Sequence, residues 1–322
     1  MKKGLLVLGI AVSALTSCKQ FEKGPGDMLY KIHEDKDGPL IKDGDFVSFK
    51  AIEKTEEDSV LYSSYDYDRP SALVKEKALF AGDLYTALGM LSEGDSATFK
   101  ISIDSMEKKM NRPKVENTKG KYLVYNIKID KVIPKGKMND SVFRATVEKF
   151  FQGETDKAKN MEAGKISSYI SSKNIKPTTT SSGLNYVITQ EGKGPKANVG
   201  DTVQFNYTGM FLTGKVFDTS VPERAKESGT FNAMRPYQPI KVPAGVNSTI
   251  PGFDEALLLF PKGTKATIIL PSKLAYGEQG SPAIPPYMPL VFDIEVVNII
   301  PQKSGAAAPA PATQTPPAAQ KK

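Results

Sequence analysis

"NYTGMFLTGKVFDTS", residues 206–220, places Tyr207 and Phe217 on either side of a glycine-bearing turn, with Asp218 directly after the second aromatic. Short alternating runs joined by such a turn read as an antiparallel hairpin. The aspartate is the anomaly, because a half-buried strand bears a carboxylate cheaply only where a hydrogen-bond partner meets it. The same alternation recurs in "TVQFNY" (202–207), "ATIIL" (266–270) and "LVFDIEVV" (290–297), with Gly/Pro turns between. Among these strands the one short helical pattern is "GFDEALLLF" (252–260). The architecture this implies is α+β, a curved antiparallel sheet wrapped on one short helix.

Working outward, the pattern is found to occur twice. "GDFVSF" (44–49) falls on "GDTVQF" (200–205) at an offset of 156, which also carries Val60 and Ser64 onto Val216 and Ser220. At an offset of 169, Ala87, Leu88, Gly94, Ala97 and Thr98 meet Ala256, Leu257, Gly263, Ala266 and Thr267. At 167, "LVYNIKIDKVIP" (123–134) meets "LVFDIEVVNIIP" (290–301). The blocks keep their order, and the offset changes only where loops are expected, so the chain is read as two copies of one fold, residues 27–135 and 183–301. The connector, 136–182, carries helical stripes: Phe143, Val147 and Phe150 or Phe151, then Ile166, Tyr169 and Ile170. Asn139 or Asp140 is placed to cap the first stripe, and Gly153 is expected to separate two helices.

The chain's 322 residues, 39% hydrophobic and 25% charged, suit two globular domains with tails. Residues 1–17 have the make-up of a secretory signal: Lys2 and Lys3 precede an apolar run too short to span a bilayer. The run ends in Leu15-Thr16-Ser17-Cys18, which resembles the bacterial lipobox, so Cys18 is the expected lipidated amino terminus and 18–26 a tether. Lipidation would hold the protein at a bacterial envelope membrane, expected to be the outer membrane, at its periplasmic or surface face. Cys18 is the only cysteine, so an intramolecular disulfide is excluded. Residues 302–322 read as an Ala/Pro-rich disordered tail.

The net charge of +7 becomes +5 once Lys2 and Lys3 are removed, and the lysines are spread along the chain, so nucleic acid is not an expected partner. His33 is the only histidine. Histidine triads and the common zinc sites are thereby excluded, and no glycine-rich phosphate loop occurs; no cofactor and no metal are expected.

The successive stretches "YTGMFLTGKVFDTS", "IPGFDEAL", "KGTKATIILPSKLAYGEQGSPAIPP" and "LVFDIEV" resemble, in order, the signatures of the FKBP family of peptidyl-prolyl cis-trans isomerases. The resemblance covers about residues 183–300, a third of the chain. It implies a shallow apolar pocket with Tyr207, Phe217, Asp218, Ile250, Phe253, Tyr276 and Phe292 at its centre and Ile240, Thr249 and Ile284 as further substrate contacts. Phe253 forms the floor where the family most often has tryptophan, and Ser281 stands where it often has histidine. Asp218 accepts a hydrogen bond from Tyr207, either to brace the hairpin or to set a dipole beside the rotating amide. "AYGEQGSPAIPP" (275–286) is expected to form a flap, and the residues after Asp218 an insertion that extends one rim.

Such a site accelerates rotation about X-Pro bonds in unfolded or partly folded polypeptides. The alternative is a peptide-binding or chaperone lipoprotein that uses the same groove without catalysis, and either form is compatible with a homodimer. In the first copy Ala51, Leu61, Tyr62, Ala81 and Leu84 take the places of Tyr207, Phe217, Asp218, Ile250 and Phe253. That copy is expected to keep the fold and lose the pocket.

Overall fold

The computed structural model describes residues 20–110 and 118–302. The signal segment, Cys18 and the tail from 303 onward lie outside the described residues. Among those described, the chain forms two compact units, one taking residues up to 64 and 70–136, the other 65–69 and 137 onward.

The first unit contains β1 (Glu22–Lys23), β2 (Leu29–Glu34), β3 (Phe46–Thr55), β4 (Val60–Ser63), β5 (Ser71–Val74), α1 (Leu84–Leu88), β6 (Ser96–Ser102), α2 (Ile103–Met110) and β7 (Tyr122–Ile133). The second contains α3 (Asp140–Ser172), β8 (Thr178–Thr179), β9 (Asn185–Gln190), β10 (Thr202–Phe211), β11 (Val216–Thr219), α4 (Pro222–Glu227), β12 (Ile240–Pro243), α5 (Pro251–Leu259), β13 (Lys265–Leu270) and β14 (Leu290–Ile300). Each unit builds a seven-stranded antiparallel sheet, and the strand paths are the same. The order is β1-β2-β6-β7-β3-β4 with β5 also on β3, and β8-β9-β13-β14-β10-β11 with β12 also on β10. The protein is thus α+β in both halves.

The repeat extends to the irregularities. The register of β3 against β7 slips between Ser48 and Phe49, and that of β10 against β14 slips between Gln204 and Phe205, the positions related by the offset of 156. The slip of β3 on β4 at Glu53/Lys54 likewise matches that of β10 on β11 at Gly209/Met210. The shared "GD" has a physical reason. Gly44 and Gly200 adopt φ of 90° and 91°, where a side chain would be strained. The aspartate after each then fastens two segments: Asp45 accepts from the Lys42 and Lys135 amides at 2.9 and 2.8 Å, Asp201 from those of Asn198 and Gln302 at 2.8 and 2.9 Å.

The cores lie between each sheet and its short helix. Val47, Leu88, Leu91, Phe99 and Ile101 fill the first, and Phe205, Phe211, Leu257, Phe260, Ile268 and Leu290 the second. Each fully buried side chain of this size stabilises by roughly 1.5–3 kcal/mol. Helix α5 sits close on its sheet because Gly252 has no side chain; a Cβ there would lie 2.5 Å from a Leu270 methyl.

Four expectations change. The tether is partly structured, since Glu22–Lys23 pairs with β2 and Glu22 takes a 2.8 Å hydrogen bond from the Tyr30 hydroxyl. The connector's Thr178–Thr179 belongs to the second sheet through β9. Helix α4 was not expected; Pro222 starts it, its fixed φ suiting the first helical turn. The connector holds one helix of 33 residues in place of two, capped by Asn139, which accepts from Val142 N–H at 2.9 Å. Gly153 does not break it because a mid-helix glycine costs only about 1 kcal/mol relative to alanine and no proline follows. Its carboxy-terminal half is docked, with Ile166 packed on Ile269 and Val291.

A Cβ added at Gly153 would meet nothing within 4 Å. Gly153→Ala is therefore expected to stabilise α3 by about 0.5–1 kcal/mol, seen as a higher urea midpoint of the far-ultraviolet helix signal; a lower midpoint would speak for a functional bend at that residue.

Candidate active site

The site begins with a surplus residue. Gly209 pairs with Asp218 and Met210 with Val216, which leaves Phe217 unmatched in a bulge. A bulge re-aims the side chain it carries. Phe217 is turned across Gly209 onto Phe292, ring centroids 5.7 Å apart and planes at 88°. This geometry needs the glycine: a Cβ on residue 209 would lie 2.7 Å from both rings. Phe292 meets Phe253 at 4.7 Å, and Phe253 meets Tyr207 at 6.0 Å and Phe205 at 5.5 Å. These edge-to-face pairs form one continuous aromatic surface with Phe253, from α5, at its centre.

Asp218, the neighbour of Phe217, lies at the edge of this surface with its side chain 18% exposed. Both carboxylate oxygens are engaged. One accepts the Tyr207 hydroxyl at 2.5 Å and the other accepts the Arg235 guanidinium, which also reaches the Tyr207 hydroxyl at 3.2 Å. The charge that looked costly in the strand is thus met by a cation and a hydroxyl. Burial, with the Asp218 charge second, pushes the Tyr207 phenol well above its ordinary 10.0. The hairpin is further held by Ser220, whose hydroxyl accepts from Tyr207 N–H at 2.9 Å, and by Thr208 and Thr219, whose hydroxyls meet at 2.9 Å.

Ile250 is the residue before α5, with Pro251 as the first helical position. No side-chain cap is made there, and the Ile250 side chain is buried among the core residues instead. The loop before it is pinned by Asp254, which accepts from the Asn247 amide. Thr249 is half-buried and its hydroxyl donates to the carbonyl of the next residue, Ile250, at 3.4 Å. Ile240 lies across from Phe205 in β12 and packs on the same core.

Residues 271–288 close on themselves. Gly277 N–H donates to Ser272 O at 2.8 Å, Tyr287 N–H to Gly277 O at 3.0 Å, and Ser281 N–H to Ile284 O at 2.6 Å. Ile284 is driven into the core by this turn, while Tyr276 is left half-buried with its hydroxyl unengaged by any protein group among the described residues. Burial raises the Tyr276 phenol, with the Asp218 charge second. The base of the flap is gripped by α3: Glu162 accepts from both the amide and the hydroxyl of Ser272, the latter at 2.9 Å.

Tyr207, Phe217, Asp218, Phe253 and Phe292 are thus brought together, Ile250, Ile240, Ile284 and Tyr276 are packed on the same core, and Thr249 bonds the adjacent Ile250 carbonyl. Three residues outside the sequence-based set prove structural to the site. Gly209 had a signal, a glycine inside a strand pattern. Arg235 lies in the insertion and Glu162 on the connector, and neither has a periodicity that points to the pocket.

Residues 194–297 match the family of FKBP-type peptidyl-prolyl cis-trans isomerases. These residues, within the second unit, form an FKBP-type domain. The chain is 31% identical over 191 residues to the Escherichia coli FKBP-type peptidyl-prolyl cis-trans isomerase FkpA, an alignment covering 56% of this chain and 64% of that protein. A probable FKBP-type isomerase of Haemophilus influenzae is 41% identical over 125 residues, 38% of this chain and 46% of the relative. Among solved structures, the chain covers 98% of AtFKBP13 with 38% of its own length, at 30% identity and a TM-score of 0.32.

The departures from the FKBP pattern have local accounts. Phe253 is smaller than tryptophan yet keeps ring contacts on several sides. Ser281 closes the flap turn, its hydroxyl accepting from Ile284 N–H at 3.1 Å. In the first unit the bulge survives, with Leu61 in the place of Phe217, but Leu61 and Ala81 are exposed and Ala51 is buried in the core.

Two tests follow from the geometry. Gly209→Ala should destabilise the second unit by about 1–3 kcal/mol through overpacking against Phe217 and Phe292, read by urea denaturation; an unchanged midpoint would show that the rings move freely. Because the folded Tyr207 phenol titrates above its unfolded value, its contribution is complete below 10.0 and is lost as the pH climbs through the raised folded value. Stability should therefore fall above pH 10 in step with the last phenolate absorbance to appear, and Tyr207→Phe should remove that step.

Proposed function

We propose that the second unit catalyses cis-trans isomerisation of X-Pro bonds in unfolded or partly folded polypeptides outside the cytoplasm. The observation that carries this is the unbroken aromatic surface of Phe217, Phe292, Phe253 and Tyr207 with the Asp218–Arg235 pair at its edge. It supplies apolar walls for a prolyl ring and one fixed polar rim for the bond that turns.

Rotation about an X-Pro bond faces a barrier of about 18–20 kcal/mol because amide resonance is broken midway. The planar amide is the more dipolar form. Transfer from water onto an aromatic surface therefore penalises it more than the twisted form, and a pocket that fits the twisted form lowers the barrier. Tyr276, with its hydroxyl available at the flap, holds the carbonyl on one side of the bond. Tyr207 does not donate to substrate, since its proton is committed to Asp218. It acts with Arg235 as a positioning residue that keeps Asp218 beside the pocket. No bond to the enzyme forms and no proton is transferred.

In the same reading the first unit is non-catalytic and serves as a spacer, a self-association surface or a chaperone-like cradle. Cys18, lipidated after removal of 1–17, tethers the protein to an envelope membrane, where its clients are newly exported chains. The chain spans 64% of the length of the Escherichia coli relative, so these whole-protein properties stand as proposals.

The test uses the full chain. It should accelerate a proline-limited refolding reaction and the isomerisation of a short X-Pro peptide, and Phe217→Ala should reduce both by about 10- to 100-fold, the loss of roughly 1.4–2.7 kcal/mol of transition-state stabilisation. Binding of the peptide without acceleration would establish the non-catalytic holder in place of the isomerase.

A further inference from the structure

The insertion leaves the pocket at Asp218 and returns to it at Ile240, so everything between is continuous with the site at both ends. It is an ordered platform. After α4, Asn232 organises the turn: its side-chain oxygen accepts from Met234 N–H at 2.9 Å, its carbonyl from Arg235 N–H at 3.0 Å, and its own N–H donates to the Tyr237 hydroxyl at 2.9 Å. Phe231 and Tyr237 stack with centroids 5.3 Å apart and planes at 11°. Lys226 covers the outer face of this pair over Phe231 at 5.2 Å, and Arg235 lies over Tyr237 at 5.5 Å while its guanidinium holds Asp218.

On this platform stands Met234, 93% exposed, beside Phe231, 44% exposed. A single exposed apolar residue needs no explanation, but here two stand three residues apart on one ordered loop whose Arg235 reaches Asp218. Methionine suits partners of varied shape, because its unbranched thioether repacks against different side chains. The cations stacked on the rings keep the platform soluble and anchored without covering Met234.

We propose that the 221–239 insertion is a second binding site for the polypeptide substrate: Met234 and the exposed edge of Phe231, supported from behind by the stack on Tyr237, hold apolar side chains that flank the proline while the proline occupies the pocket. The occupant is an extended, unfolded chain, chosen because the platform shares Arg235 with the pocket and joins Ile240, so one strand can lie across both. The inference rests on the isomerase reading and sharpens its substrate class. Short X-Pro peptides reach only the pocket, and unfolded proteins reach both.

The experiment compares the full-length wild type with the double variant Phe231→Ala/Met234→Ser on two substrates, a proline tetrapeptide and a reduced, carboxymethylated protein whose refolding is limited by proline isomerisation. The expected result is a loss of about tenfold in kcat/KM on the refolding protein with the tetrapeptide rate unchanged, which also certifies the variant's fold. Equal losses on both substrates, or no loss on either, would overturn the inference. Should the wild type fail to accelerate the tetrapeptide, the isomerase reading falls, and the platform is judged separately by fluorescence anisotropy of the labelled unfolded chain. Weaker binding by the double variant then supports it, and equal binding ends it. Concentration-dependent self-association abolished by the same substitutions would assign the surface to a second copy of this chain instead.

Discussion

One surplus residue in β11 governs the arrangement of the site. With Phe217 unmatched between the Gly209–Asp218 and Met210–Val216 pairs, its ring must leave the plane of the sheet. Gly209 leaves the space it crosses, and Phe292 receives it. The same step places Asp218 at the pocket edge rather than in the core, where Tyr207 and Arg235 reach it. The aspartate in a hairpin that otherwise wants apolar residues is therefore a consequence of the bulge. In a regular strand Phe217 would pair with Met210 in register, and no ring would be re-aimed across Gly209.

The two halves separate what the fold requires from what the pocket requires. Strand order, register slips, the left-handed glycine and the aspartate that follows it recur in both. What differs is the aromatic surface, together with α2 in the first unit and α4 with its insertion in the second. Leu61 occupies the same bulge as Phe217 but remains exposed, and Ala51 stands where Tyr207 meets Asp218. The sheet thus holds without the aromatic surface. In the first half Phe99 and Leu88 fill a core without such a surface, whereas in the second Phe205 and Leu257 share one core with Phe253 and Phe292.

How far the sequence can be read follows from the range of each signal. Antiparallel strands, the short helix and the repeat are legible because alternation and glycine punctuation are local, and because two copies check each other. The polar edge was half legible: Tyr207 and Asp218 belong to one hairpin, whereas Arg235 arrives from 17 residues further on through a loop with no periodicity. The connector misled for the opposite reason. Gly153 is a local signal, but its cost of about 1 kcal/mol is small beside the cooperativity of a long capped helix whose far end packs on Ile269 and Val291. Glu162 left no local trace, since its partner Ser272 is 110 residues away.

The mechanism proposed for the second unit, fitting a twisted amide, has no reactive group to compensate for loose walls, so under it the rigidity of each wall is part of the chemistry. Here every wall has its own fastening. The floor is fixed by ring contacts around Phe253 and by Gly252 pressed on Leu270. The hairpin wall is laced by Thr208, Thr219 and Ser220. The flap is closed by its own backbone and held at its base by Glu162 on α3. The insertion is ordered around Asn232 and joined to the pocket by Arg235. The Tyr276 hydroxyl has no hydrogen-bond partner among the described residues, a state it shares with the buried Oδ1 of Asp254, and in the proposed mechanism it is Tyr276 that holds the substrate. The proposed mechanism calls for this division along the rim: Tyr207, Asp218 and Arg235 are paired with one another, and the Tyr276 hydroxyl is kept available.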